Sequence, residues 1–298
     1  MQRKTWADIL RIAATAAVML LHISAHRWDS TELQSYDWQA LNLWNSLSRW
    51  GVPVFTMISG SLFLNSDRSP QTIFRKNLVR IVASFVFWSA LYAFVRVYLT
   101  GNRSFFTFAE QFVYGAYHLG FLYMIAGLYL LIPLLRKIRE DRALTKYFLL
   151  LGLVFGFLVP QLISILTVFA PDWGNLFQGA FSHISMHFVI SFPFYFVLGS
   201  YLSEEDFFEH RPVLFALSGV AGFLCTVLGT VWISFLQGKP SQMFYGYFSL
   251  NVLLESVFVF CLFRKAFGKR DAEGKGARFA AYLSDRCFGA YLVHVLVL

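Results

Sequence analysis

The chain has 298 residues, of which 57% are hydrophobic and 14% charged, with a formal net charge of +8. Its mean hydropathy of +0.56 excludes an ordinary soluble domain, and apolar runs of about 20 residues recur along it, so the sequence predicts an all-α, polytopic helical membrane protein. The three cysteines, Cys225, Cys261 and Cys287, lie scattered in apolar runs and offer neither a disulfide framework nor a metal site.

The first run, WADILRIAATAAVMLLHISAH over residues 6–26, is not read as a cleaved leader. It carries charges inside its apolar part and has no clear small-residue cleavage site. Asp8, Arg11 and His22 stand in it. Eleven steps of about 100° bring His22 back to within about 20° of Arg11, roughly 16 Å further along the axis. One face therefore carries a guanidinium low down and an imidazole three turns above. Ala13, Ala14, Ala16 and Ala17 let neighbouring helices approach that same helix closely. Ionisable groups in a membrane are costly, so each marks a functional candidate. The plainer alternative is that Arg11 pairs with Asp8 and that His22 sits at the interface.

Further spans are predicted at about residues 42–64, 77–99, 118–136, 147–169, 184–202, 213–236, 246–266 and 279–298, nine in all with the first. Alternate connections differ sharply in basic residues. The N-terminus and every second connection hold 18 Lys and Arg, among them Arg75, Lys76 and Arg80; the other set holds only Arg27, Arg103 and Lys239. The basic side is therefore cytoplasmic, with the N-terminus on it. This placement accounts for the net charge without nucleic acid as a partner. Nine spans leave Leu298 on the far side with no polar tail, so a final span is expected to be missing by truncation.

This topology puts His22, His118, His183, His187 and His294 at outer depth. Backbone and water would satisfy any one of them. His183 and His187 share a helical face at i, i+4, but no carboxylate or cysteine joins them, and no metal is assigned. Glu255, mid-span in LNVLLESVFVF, needs a proton, a partner or water, and Arg49 and Arg286 are candidate partners. The chain lacks G-x-x-x-x-G-K-[ST], G-x-G-x-x-G and G-x-S-x-G, which argues against nucleotide hydrolysis and a serine-elbow hydrolase. What remains is an imidazole suited to general-base work on a hydroxyl and an arginine suited to a phosphate or an oxyanion.

These residues bring a resemblance with them. Asp8-x-x-Arg11, ten residues and then His22 resembles the opening motif of the acyltransferase-3 family of integral membrane acyltransferases. Gly51 to Gly60, GVPVFTMISG, is similar to that family's G-V-P-[VL]-F-F-x-I-S-G, with Thr56 where Phe is usual. Arg75-Lys76-Asn77-Leu78-Val79-Arg80-Ile81 resembles its R-x-x-R-I entry, with Asn77 in place of the first arginine. Tyr117 to Tyr123, YHLGFLY, resembles H-L-W-F-L with Gly120 for Trp, and Ser284 to His294, SDRCFGAYLVH, resembles S-x-x-x-F-G-I-Y-L-x-H. The likeness runs in order over nearly the whole chain, and members usually have ten spans.

The resemblance implies transfer of an acyl group, commonly acetyl from acetyl-CoA, onto a hydroxyl of a surface polysaccharide, lipopolysaccharide or related glycoconjugate, in the cytoplasmic membrane of a bacterium. It implies Arg11 and His22, with Asp8, as the catalytic group. Acyl-CoA is then a co-substrate and no cofactor is bound. Donor phosphates are expected on Arg75, Lys76 and Arg80. Ser59, Arg49, His118, Tyr123, Glu255 and His294 are the acceptor or pocket candidates. The expected site is one polar cleft lined by both Arg11 and His22, into which a thioester threads. Two other readings stay open: a transporter or flippase of a glycolipid or acyl compound, and a non-catalytic membrane scaffold.

Overall fold

Why the chain should be helical follows from its solvent: in hydrocarbon a backbone must satisfy its own hydrogen bonds. A computed structural model describes residues 3–101, 104–184, 191–204, 211–268 and 274–297, and among these there are helices and turns but no strand. The helices in chain order are α1 (Thr5–Ala25), α2 (Tyr36–Ser48), α3 (Gly51–Phe63), α4 (Pro70–Ile73), α5 (Val79–Thr100), α6 (Phe105–Tyr114) and α7 (Gly120–Glu140). They continue with α8 (Arg142–Gly152), α9 (Val159–Phe169), α10 (Pro171–Ser182), α11 (Phe192–Glu204), α12 (Pro212–Gln237), α13 (Leu250–Phe267) and α14 (Lys275–Val293).

Among the described residues six helical stretches are long and apolar enough to cross a membrane: 5–25, 70–100, 117–140, 142–169, 212–237 and 243–267. Two of them run through a wide π turn. Phe74–Leu78 joins α4 to α5, and Leu153–Leu158 joins α8 to α9. The second widening has a local cause, since Pro160 cannot donate to the carbonyl one turn back and its ring crowds it. Of the remaining predicted spans, 42–64 is broken at Arg49 and Trp50 into α2 and α3, and 184–202 is represented by the short α11. The last, α14, holds too many charges to count by hydropathy alone. Gly51 and Pro53 fit the break, because they fall in the first turn of α3, where proline's missing N–H goes unused. Two helices are new to the outer connections, α6 and α10. Both are short and apolar on much of their surface, and the sequence reading passed them over as loops.

With lipid outside, helices gain little by hiding apolar side chains from each other and depend on close packing instead. The closest approach joins α3 and α11. A Cβ added to Gly60 would overlap the Phe196 carbonyl, and one on Gly199 would overlap the Met57 carbonyl. The two backbones therefore touch reciprocally. The predicted close approach at the alanines of α1 is also present: Gly51 of α3 faces the Ala14 carbonyl and Ala17. Lipid contact falls to helices such as α5, where only Ile81, Ser89 and Ala93 are buried.

Gly60→Ala should lower stability by about 3 kcal/mol, the range expected when a methyl is forced into a packed contact with no room. Gly127→Ala, where a Cβ meets open space, should change it by less than about 0.5 kcal/mol. Thermal unfolding of the purified protein in detergent reads both, and equal effects would refute the packing argument.

Candidate active site

The first helix and the last described one carry the site between them. Both run in the same direction with their N-terminal ends on the basic side, termed inner, and α1 packs against α14. At the inner end Asp8, 4% exposed, is shared by two arginines. Arg3 Nε donates to Asp8 Oδ2 at 2.6 Å, and Arg11 Nη1 donates to Oδ1 at 3.3 Å. Arg3 also reaches Asp285 at 2.9 Å and the Ala281 carbonyl at 2.8 Å. Both carboxylates, Asp8 foremost, hold its guanidinium protonated more firmly than usual. Arg11 Nη1 donates at 2.7 Å to Ser284 Oγ of α14.

At the outer end His22 Nδ1 lies 2.6 Å from His294 Nε2, with the two rings within 7° of parallel. His118 completes a group of three, its ring 6.5 Å from His22 and 5.1 Å from His294. Tyr117, Tyr92 and Tyr291 pack around them at ring separations of 5.2 Å from His22 and 5.1 and 5.7 Å from His118. The Tyr291 hydroxyl donates to the His118 carbonyl, and the Tyr291 carbonyl faces His294 Nδ1 at 2.7 Å. His118 is 4% exposed, and neither of its ring nitrogens makes a hydrogen bond of normal geometry, although the Leu292 carbonyl is within electrostatic reach.

A cleft of about 320 Å³ lies between the two ends. Arg11, Asn77, Arg80, Ser284 and Asp285 line its mouth; Ser59, Phe55, Ile125 and Tyr129 line its body; Val18, Phe121 and Tyr291 belong to its lining as well. Arg80 and Asp285 are exposed, so the mouth opens at the basic end. Arg11, Val18 and His22 follow at seven and four residues and form one stripe of α1. The stripe enters the cleft, but His22 itself is not part of the lining. This corrects the expectation of a single polar cleft holding both residues. The middle of the passage is aromatic and aliphatic, and Tyr291, in contact with His118 and with His294 at 5.8 Å, stands between cleft and histidines.

The other predicted residues separate cleanly. Arg75 and Lys76 are exposed on the π turn of Phe74–Leu78, beside the cleft mouth, and carry no ion pair among the described residues. Nearby cations are committed elsewhere: Arg136 closes the C-terminal end of α3 through the Phe63 carbonyl at 2.8 Å and Ser66, and Arg139 pairs with Glu204. Tyr123 is not brought to the site; it is half-exposed, with its hydroxyl on the Val113 carbonyl and its ring against Phe85. Arg49 turns to Tyr245, 3.1 Å from its carbonyl and 4.1 Å over its ring. Glu255 belongs to a separate buried group between α12 and α13, where Thr226 donates to it and Asn251 donates to Thr226 at 2.8 Å. Arg286, the other suggested partner of Glu255, lies instead over the Tyr282 ring. His183 is exposed at the end of α10, and His187 lies outside the described residues. No cluster among the described residues has the geometry to hold a metal ion. Sequence reasoning missed Tyr291, Ser284 and Tyr117 as site residues, although all three lie in stretches already quoted for their motifs.

The comparisons bear on this geometry. A family model described as an acyltransferase domain matches residues 4–298. No curated protein and no solved structure matches the chain.

Asp8→Asn should weaken the inner end of the site. One buried charge shared by two half-exposed arginines is expected to contribute about 1–2 kcal/mol, read as a drop of a few degrees in Tm in detergent. An unchanged Tm would remove Asp8 from the structural account.

Proposed function

The chain belongs to the acyltransferase-3 family and is a membrane acyltransferase; from that premise we propose that it transfers an acyl group, acetyl in the first instance, from cytoplasmic acyl-CoA to a hydroxyl of a surface sugar or glycolipid. The observation that carries this reading is the stripe Arg11–Val18–His22, which leads from a cleft open at the basic end to a group of three imidazoles, two of them buried. The donor's phosphates bind Arg75, Lys76 and Arg80. Arg11, steadied by Asp8 and Ser284, orients the thioester end. The roughly 16 Å from Arg11 to His22 is comparable to an extended pantetheine arm. A swing of the Tyr291 ring joins the cleft to the histidines.

The acceptor hydroxyl comes from the outer side. His22 takes its proton as the oxygen attacks the thioester carbon. The new C–O bond forms, the C–S bond breaks, and the leaving thiolate recovers the proton from His22. His118, buried beside His22 with no well-formed hydrogen bond, is placed to donate to the carbonyl oxygen as charge develops there. The membrane is the bacterial cytoplasmic membrane, as the family resemblance implies, and the charge bias of the loops puts the N-terminus on its cytoplasmic side.

His22→Ala should reduce transfer by about 10²–10⁴-fold, the usual worth of a positioned base, while the protein inserts at the normal level. Mass spectrometry of surface glycans from cells with each form reads the product, and normal acylation by the variant would refute the role. Replacing Arg75 and Lys76 together by Ser should raise the KM for acyl-CoA several-fold, more at low salt than at high, with kcat nearly unchanged. A KM insensitive to both substitution and salt would move the donor elsewhere. Rapid-quench labelling with radioactive acyl-CoA and no acceptor separates direct transfer from an acyl-enzyme on His22.

A further inference from the structure

Which nitrogen of His22 meets the acceptor is decided by a short chain of hydrogen bonds that begins at a backbone group. A neutral imidazole has one N–H and one lone pair, and the partner of the first fixes the position of the second. The Tyr291 carbonyl can only accept. His294 Nδ1, 2.7 Å from it, therefore carries the hydrogen and donates. That leaves the lone pair of His294 on Nε2. His22 Nδ1 faces this atom at 2.6 Å and so carries a hydrogen of its own and donates it. His22 Nε2 is then bare, which is the state a base requires.

We infer that His294 is the positioning residue of the site: anchored on the Tyr291 carbonyl, it holds His22 as the Nδ1–H tautomer and presents Nε2 to the acceptor hydroxyl. The inference rests on the acyl-transfer reading. It adds a residue that touches no reacting atom and acts through His22. His294 is well held for this. It is 7% exposed, heads the tight turn His294–Leu296 and has the His118 ring edge-on beside it. The same hydrogen bond serves after proton uptake. When Nε2 gains the acceptor's proton, the imidazolium still donates from Nδ1 to His294, which stabilises the new charge where water is excluded. When the thiolate takes that proton back, His22 returns to its starting tautomer with no rearrangement.

Two variants and one spectrum test this. His294→Gln keeps an acceptor oxygen near the position of Nε2, and His294→Leu fills the space but accepts nothing. In proteoliposomes supplied with acetyl-CoA, with water standing in for the acceptor hydroxyl, hydrolytic release of CoA and acetate should fall about 100-fold in kcat for the Leu variant, with KM unchanged, and stay within about fivefold for the Gln variant. Solid-state NMR of ¹⁵N-histidine-labelled protein, with His22→Ala to assign the signal, should show His22 protonated on Nδ1 in the wild type and the Gln variant. In the Leu variant it should shift to Nε2–H. His22 protonated on Nε2 in the wild type would overturn the inference, as would equal loss by Gln and Leu with the tautomer unmoved. The spectrum needs no turnover: if His22→Ala proves fully active while the tautomer is as stated, the acyl-transfer role of His22 fails and the hydrogen-bond chain stands.

Discussion

Everything at the site hangs on two helices tied to each other at both ends. Arg11 meets Ser284 low down, and His22 meets His294 high up, eleven residues on along one helix and ten along the other. Parallel helices pinned twice cannot slide by a turn without breaking both links and leaving His22 Nδ1 and Ser284 without the partners they meet here. The near-equal spacing is therefore a register lock. It also sets the third histidine, because the Tyr291 hydroxyl on the same helix holds the His118 carbonyl and Tyr92 holds the Leu292 carbonyl at 2.9 Å.

Charge is divided between holding the fold and facing ligands. Arg136, Arg139 and Lys137 of α7 are spent on the end of α3, on Glu204 and on Glu140. Arg264 reaches the Leu202 carbonyl at 2.8 Å. These contacts knit the inner ends of α3, α7, α11 and α13 together. The π turn of Phe74–Leu78 does the opposite. By widening the helix one residue beyond its normal winding it leaves Arg75 and Lys76 outward while Asn77 and Arg80 face the cleft. On the proposed reading, the histidine end would receive a neutral hydroxyl, and the basic end, where the exposed arginines and Lys76 gather, would receive phosphates.

The helical class and the position of α1 are legible in the sequence because a 21-residue apolar run permits little else in a bilayer. The Arg11–His22 stripe is legible too, being local periodicity. The partner of His22 is not: 272 residues separate it from His294, and no local pattern reports a contact of that range. The break at Arg49 was written in Gly51 and Pro53 but merged into one apolar run. α6 and α10 escaped because a short amphipathic helix lying at an interface has neither the length of a span nor the polarity of a loop. Tyr123 faces away from the cleft for a related reason, since depth can be inferred from topology but the direction a side chain faces around a helix cannot.

The joining of the first helix to the last described one has a consequence for biogenesis. When α1 leaves the insertion machinery, Ser284, Asp285 and His294 have not been translated, and the two halves of the site must wait for nearly the whole chain. In that interval the polar groups of α1 have to be tolerable in lipid unaided. The intrahelical Asp8–Arg11 pair and the neighbouring Arg3–Asp8 bridge ease this, one carboxylate offsetting one of the two arginine charges before any other helix arrives. Asp8 is thus a partner available to the arginine from the start, whereas Ser284 and His294 complete the two links only when the last described helix docks.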